Sequence, residues 1–219
     1  MADPILHRED PDKDPLVGHV KVTRQDWLNL ARDVLVNEGV AEVKVLALSA
    51  RLGVSRSSFY WYFENRDGLL QALLQDWETR NTSQITANCQ RAASNITAAV
   101  CNFFRCFVDP AGFDQRLDFA IREWSRRDAG LRARVDAADA TRLAAVRTMF
   151  EAHHYSPEDA DARARILYFM QLGYHALEVR ETAEARKAQL VPYLRGFTGQ
   201  EPDPVALEAF RVFFDKLNL

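Results

Sequence analysis

The stretch that decides the fold is Lys44–Arg66, K-V-L-A-L-S-A-R-L-G-V-S-R-S-S-F-Y-W-Y-F-E-N-R. Leu48 and Leu52 stand one helical turn apart and face inward. Ser49 between them is small, so a second helix can pack close. Gly53 takes a positive φ at little cost, as a tight turn between two helices requires. Val54 then fills the crevice beneath the turn, and Ser55 stands where the next helix needs an N-cap. Phe59 and Phe63 anchor that helix, expected over Arg56–Phe63, against the first. The layout is a helix-turn-helix.

Anchoring by Phe59 and Phe63 leaves Arg56, Ser57, Ser58, Tyr60, Trp61 and Tyr62 pointing outward or partly so. Aromatic rings on an exposed helix face are costly unless something covers them. DNA gives each a task. The first turn of a recognition helix reaches base edges in the major groove. There Arg56 can pair bidentately with guanine, and the short Ser57 can hydrogen-bond several bases. Tyr60 and Tyr62 can donate to phosphates, which fixes register without reading sequence. Arg66 offers a further phosphate clamp.

Gly53-Val-Ser-x-x-x-Phe-Tyr-x-Tyr-Phe-x-x-Arg66, followed by Asp-Gly-Leu-Leu, resembles the signature of TetR-type repressors. In that family Gly-Val-x-x-x-x-Leu-Tyr-x-His-Phe-x-x-Lys-x-x-Leu spans the recognition helix and enters the fourth helix. The resemblance covers Thr23 to about Leu74. It implies phosphate contacts at Thr23 and Tyr60, the family's His role for Tyr62 and its Lys role for Arg66. The family usually opens its second helix with Thr; Lys44 and Val45 stand there instead. Lys44 supplies charge but caps poorly. The resemblance further implies a homodimer on a palindromic DNA operator, a repressor's role, and a variable helical body with a small-molecule effector pocket.

Working outward, almost every segment reads as helix. Thr23 and Asp26 open the first with a capping pattern, Trp27, Ala31, Val34 and Leu35 form its apolar stripe, and Gly39 ends it. Asn65 starts a fourth helix through Leu69, Leu70, Leu73, Leu74 and Trp77. Further helices are expected near Ser94–Val108, from Phe113, over Leu131–Ala152 with Gly130 interrupting the path, over Ser156–Arg180, over Thr182–Leu194, and from Asp203-Pro204 onward. No alternating strand pattern and no repeat appears. The fold class is all-α: a leader at 1–20, a helix-turn-helix head at 21–67 and a dimerisation and ligand-binding body at 68–219.

Composition narrows the function. The net charge is −3, so a DNA-binding surface must be local. The leader is acidic and proline-broken, unlike a basic DNA-gripping arm, and is expected to be disordered. No run is long and apolar enough to span a bilayer. Three cysteines, Cys89, Cys101 and Cys106, with no CxxC spacing fit buried thiols in a reducing, cytoplasmic setting. No nucleotide-binding, zinc-protease or serine-hydrolase motif occurs, so neither catalytic residues nor a cofactor is expected. His153 and His154 are adjacent and point about 100° apart on a helix, so no metal site is expected.

In the body, Phe103, Phe107, Trp124, Tyr168 and His175 suit a pocket for an apolar or aromatic effector. Ile166, Met170, Gly173 and Leu177 on one helix, and Phe210, Phe213, Phe214 and Leu217 on the last, suit a dimer interface. Intrachain core packing competes for each of these residues. The alternative for the whole chain is a helical ligand-binding or scaffold protein whose head docks a protein partner.

Overall fold

Capping side chains set the helix starts. The computed structural model describes residues 22–109 and 111–217, so the expected leader lies outside the described residues. Thr23 Oγ1 accepts the Asp26 amide while the Asp26 carboxylate accepts the Thr23 amide, a reciprocal box that opens α1 (Arg24–Glu38). Gly39, at φ 88°, ends it. Then come α2 (Val45–Leu52) and α3 (Arg56–Phe59). Side chains of Asn65, Asn95, Asp114, Asp128, Ser156, Thr182 and Asp203 each accept an amide in the first turn of the helix that follows. These helices are α4 (Arg66–Gln90), α5 (Ile96–Val108), α6 (Gln115–Ser125), α7 (Ala129–Glu151), α8 (Pro157–Ala176), α9 (Ala183–Thr198) and α10 (Pro204–Lys216). Each such cap stabilises its helix by about 1 kcal/mol. Among the described residues there is no strand; the protein is all-α.

Several boundaries differ from the sequence reading. Helix α3 stops at Phe59 rather than Phe63, because the Tyr62 amide bonds the Phe59 carbonyl three residues back and tightens the chain into a turn. Gly130 does not interrupt a helix; Asp128 caps α7 ahead of it, so Gly130 lies inside the first turn. Helix α8 ends at Ala176 rather than Arg180, since Glu178 enters the left-handed region at φ 48°. Helix α9 runs past Leu194, through Pro192, to Thr198. Leu194 and Phe197 are buried in the body core, and that burial outweighs the hydrogen bond proline removes.

Two apolar clusters divide the molecule. One joins Trp27, Leu35, Leu48, Phe59, Phe63 and Leu69–Trp77 to Leu117 and Ile121 of α6 and to Leu131 and Val135 of α7. The other joins Ile85, Cys89, α5, the end of α7, α8, α9 and α10. Whereas the sequence divides head from body after residue 67, the packing divides later. Helix α4 contributes Trp77 to one cluster and Ile85 to the other, and α6 with the start of α7 packs on the head.

A buried polar network sits where these clusters meet. Asp118 of α6 accepts from Trp77 Nε1 (2.7 Å), from Arg142 (2.9 Å) and from Arg122 (2.7 Å). Arg122 also grips Asp139 through two bonds of 2.7 and 2.6 Å, and Tyr168 Oη donates to Asp139 (2.7 Å). The Arg142 side chain is wholly buried, donating from Nε to Thr82 (3.1 Å) and lying over the Trp77 ring. Six helix-borne charged or hydroxyl groups thus hold α4, α6, α7 and α8 to one another.

Candidate nucleic-acid interface and open cavity

In the turn of the head, Gly53 adopts φ 66°, which lets the Val54 amide reach back to the Ser49 carbonyl (3.1 Å). Ser49 is buried, its hydroxyl donating to the Val45 carbonyl (2.6 Å). Phe59 is fully buried, edge-on to Trp27 at 5.2 Å and stacked on Phe63 at 5.4 Å. That anchor fixes the opposite side of α3 toward solvent. Arg56, Ser57 and Tyr60 are exposed there, and Trp61 is 82% exposed. Arg56 reaches the Tyr60 hydroxyl at 3.3 Å, so the two side chains share one face. Lys44 is exposed at the start of α2 beside Glu42 (3.1 Å), and Thr23 is exposed at the start of α1.

The remaining sequence candidates are engaged within the chain. Ser55 stands at the N-cap position of α3, but its hydroxyl pairs with the Ser57 hydroxyl (2.8 Å) and does not cap. Ser58 is half-buried and donates to the Ser55 carbonyl. Tyr62 is half-buried and donates to the Val22 carbonyl (2.8 Å). Arg66 directs Nε to the Val43 carbonyl and Nη2 to the Val40 carbonyl, both at 2.6 Å, so it ties α4 to the segment between α1 and α2. Arg24, which the sequence reading passes over, is exposed beside the same face with its guanidinium over the Phe63 ring.

Behind the head lies a cavity of about 1040 Å³, bounded by Leu35–Ala41 at the end of α1 and by side chains of α5, α6, α8, α9 and α10. That volume is at the upper end for small-molecule sites. Of the expected pocket residues, Phe107, Trp124 and His175 line it. Phe103 and Tyr168 do not: Phe103 is wholly buried in the body core, and Tyr168 is buried with its hydroxyl on Asp139. The wall includes residues with no sequence signal of their own, among them Phe104, Gln171, Tyr174 and Arg186. His175 lies 2.7 Å from Gln171 and packs against Phe107, and burial pushes its pKa down to about 4, so it is neutral at pH 7.

The expected dimer residues separate into two groups. Phe210 and Phe214 are buried in the body core and, with Met170, line the cavity. Phe213 is half-buried under the Arg105 guanidinium at 4.1 Å, and Leu217 is half-buried. The large side chains of α10 therefore face their own chain, since the helix packs on α5. On α8, by contrast, Ile166 is 58% exposed and Phe169, absent from the sequence candidates, 50%, and Leu177, just past the helix end, is 78% exposed. A Cβ added at Gly173 would meet nothing within 4 Å. Residues 166, 169, 173 and 177 form one stripe along that helix.

No group of three His, Cys, Asp or Glu side chains among the described residues is placed to hold a metal ion. No helix among them is long and apolar enough to cross a membrane. The three cysteines are all buried; burial pushes the Cys89 and Cys101 thiols up to about 12, and Cys106 well above its ordinary value.

Residues 28–73 match the model of the bacterial regulatory proteins of the tetR family. The chain is 23% identical over 185 residues to the Transposon Tn10 TetC protein of Escherichia coli, which covers 81% of this chain and 91% of that protein. Its fold is similar to that of a TetR-family transcriptional regulator from Marinobacter aquaeolei VT8, with a TM-score of 0.62 at 15% identity over 90% of this chain and 98% of the other. It is also similar to AmtR of Mycobacterium smegmatis, with a TM-score of 0.57 at 16% identity over 94% and 99% of the two chains.

Proposed function

We propose that this chain, whose head matches the model of the tetR family of bacterial regulatory proteins, is a DNA-binding transcription regulator, and that it is a ligand-responsive repressor that grips a palindromic operator as a homodimer. The observation that carries the reading is the exposed face of α3. Arg56 and Ser57 on α3, and Tyr60 and Trp61 in the turn that follows it, are exposed, while Phe59 anchors the opposite side. Large aromatic rings held out in water make sense where a partner covers them.

The roles divide by position. Arg56 and Ser57, in the first turn, read bases; Tyr60, Lys44 and Thr23, at its end or on flanking helices, hold phosphates. Ser55, Ser58, Tyr62 and Arg66 shape the head around them through the internal hydrogen bonds described above. Trp61 packs against the sugar-phosphate backbone. Two heads must engage successive half-sites at once, which is why the reading includes a dimer. Ligand response follows from the cavity, because its wall includes both the end of α1 and the body. A ligand there weakens DNA binding if it prefers the arrangement of head and body that does not fit the operator.

The test is binding to DNA upstream of the protein's own gene, compared with scrambled DNA. Arg56→Ala should cost about 1–3 kcal/mol on the operator and much less on scrambled DNA. Equal loss on both would make Arg56 a phosphate contact. Absence of any preference for the upstream DNA in the parent protein would remove the reading.

A further inference from the structure

The cavity wall combines two kinds of chemistry. One is apolar and aromatic, from Phe104, Phe107, Phe210 and Phe214. The other is a cation without an anion. Arg186, in the first turn of α9, lines the cavity; its Nε is buried with no hydrogen-bond partner, and among the described residues no carboxylate lies within 4.0 Å of its guanidinium. Of the other cations on the wall, Arg180 meets Glu178 (3.4 Å), Lys187 meets Asp215, Arg211 meets Glu208 (4.0 Å) and Arg116 donates to Asn37 (2.6 Å); Arg127 also lines it, but among these only Arg186 has a buried donor with no acceptor. The nearby Glu181 accepts the Tyr174 hydroxyl. A partly buried guanidinium with a silent donor is unfavourable until something accepts from it.

The groups beside Arg186 add polarity without charge. Its guanidinium carbon lies 5.9 Å from the Tyr174 ring centroid. Gln171 is buried on the same wall, paired with a His175 ring that burial keeps neutral at pH 7. Neither Gln171 nor His175, both uncharged, would repel an incoming acid.

We infer that the cavity is built for an amphipathic organic anion, whose single acid group pairs with Arg186 and whose apolar body fills the phenylalanine wall. This deepens the ligand-responsive reading above and rests on it for the effect on DNA, though the binding itself does not depend on that reading. A planar guanidinium fits carboxylate and sulfonate oxygens through two parallel bonds, which also orients the ligand.

The experiment uses the full chain and two fluorescent probes with the same body. They are 8-anilinonaphthalene-1-sulfonate, which carries the acid, and N-phenyl-1-naphthylamine, which lacks it. The parent protein should bind the sulfonate about tenfold or more tighter. Arg186→Gln should abolish that preference by weakening the sulfonate alone, and Arg186→Lys should keep part of it. Unlabelled naphthalene-2-carboxylate should displace the sulfonate, and naphthalene-2-methanol should not. Equal binding of both probes by the parent protein would overturn the inference, and so would an equal loss of both in a folded Arg186→Gln variant. Should that variant fail to fold, the probe pair on the parent protein decides alone. Operator binding measured in parallel without probes separates the two readings. Acid preference without DNA binding sinks the regulator reading only, and DNA binding without acid preference sinks this inference only.

Discussion

Asp118→Ala is expected to lower the free energy of unfolding by about 3–5 kcal/mol, read as a fall in the urea midpoint at an unchanged slope. The size follows from what the carboxylate leaves behind. Arg142, wholly buried, loses its shortest charged partner, and the Trp77 indole loses its acceptor. Arg122 keeps Asp139, so the penalty falls mainly on Arg142. Replacing Asp118 by Leu and Arg142 by Met together should recover most of the loss, because the uncompensated charge goes with its partner. Burial pushes the Asp118 carboxyl up, but the charges of Arg122 and Arg142 outweigh it and leave the group below its ordinary value. A carboxyl depressed in the folded state contributes stability above the unfolded value of about 3.9, lost as pH falls through the folded value. Acid unfolding of the parent should therefore steepen below about pH 4, and Asp118→Asn should lack that part of the acid limb. A loss under about 1 kcal/mol in Asp118→Ala would mean that the network is not the clasp described.

The second large effect concerns assembly. Phe169→Asp should convert a dimer into a folded monomer in light scattering, and weaken operator binding by about 10²–10⁴-fold, since each head would then bind alone. The stripe Ile166, Phe169, Gly173 and Leu177 is an exposed apolar surface along one side of α8 and just past its end, and in a dimer that covers it a charge at its middle would be buried without a counterion. Phe214→Asp should behave differently. Phe214 is buried in its own chain, so the variant should lose helical signal and solubility and not yield a well-folded monomer. A dimer that survives Phe169→Asp would place the interface elsewhere.

What the sequence made legible depended on whether the relevant physics is local. The turn at Gly53, the start at Ser156-Pro157 and the cap at Asn65 are each settled by a few adjacent residues, and the structure places them as read. The anchoring of Phe59 and Phe63 follows from helical spacing alone. Phe210 and Phe214 illustrate the limit. An amphipathic helix reveals that one face is covered but not whether the cover is the same chain or another copy. Arg142 illustrates a second. In a helix rich in Ala and Arg it looks like one more solvated charge, and only the approach of Asp118 from α6 makes its burial tolerable. The cavity is a third, because it arises where α1, α5, α8 and α9 fail to fill space, and no single segment encodes an absence of packing. Tyr62 and Arg66 stand where the family motif has His and Lys, yet the carbonyls that their polar atoms hold, at Val22, Val40 and Val43, lie 23 to 40 residues away in the chain.

The three buried thiols have a practical corollary. A maleimide or iodoacetamide reagent needs an accessible thiolate, and Cys89, Cys101 and Cys106 offer neither access nor ionisation while the chain is folded. The native cysteines can therefore stay in place when a reporter cysteine is introduced at an exposed head position such as Glu64 or Gln71. Spin labels or fluorophores attached there would occupy one site per subunit. Their separation across an assembled pair would report the spacing of the two heads directly, with and without an anion in the cavity. The native thiols would serve as an internal clock, alkylated only at the rate at which the body opens.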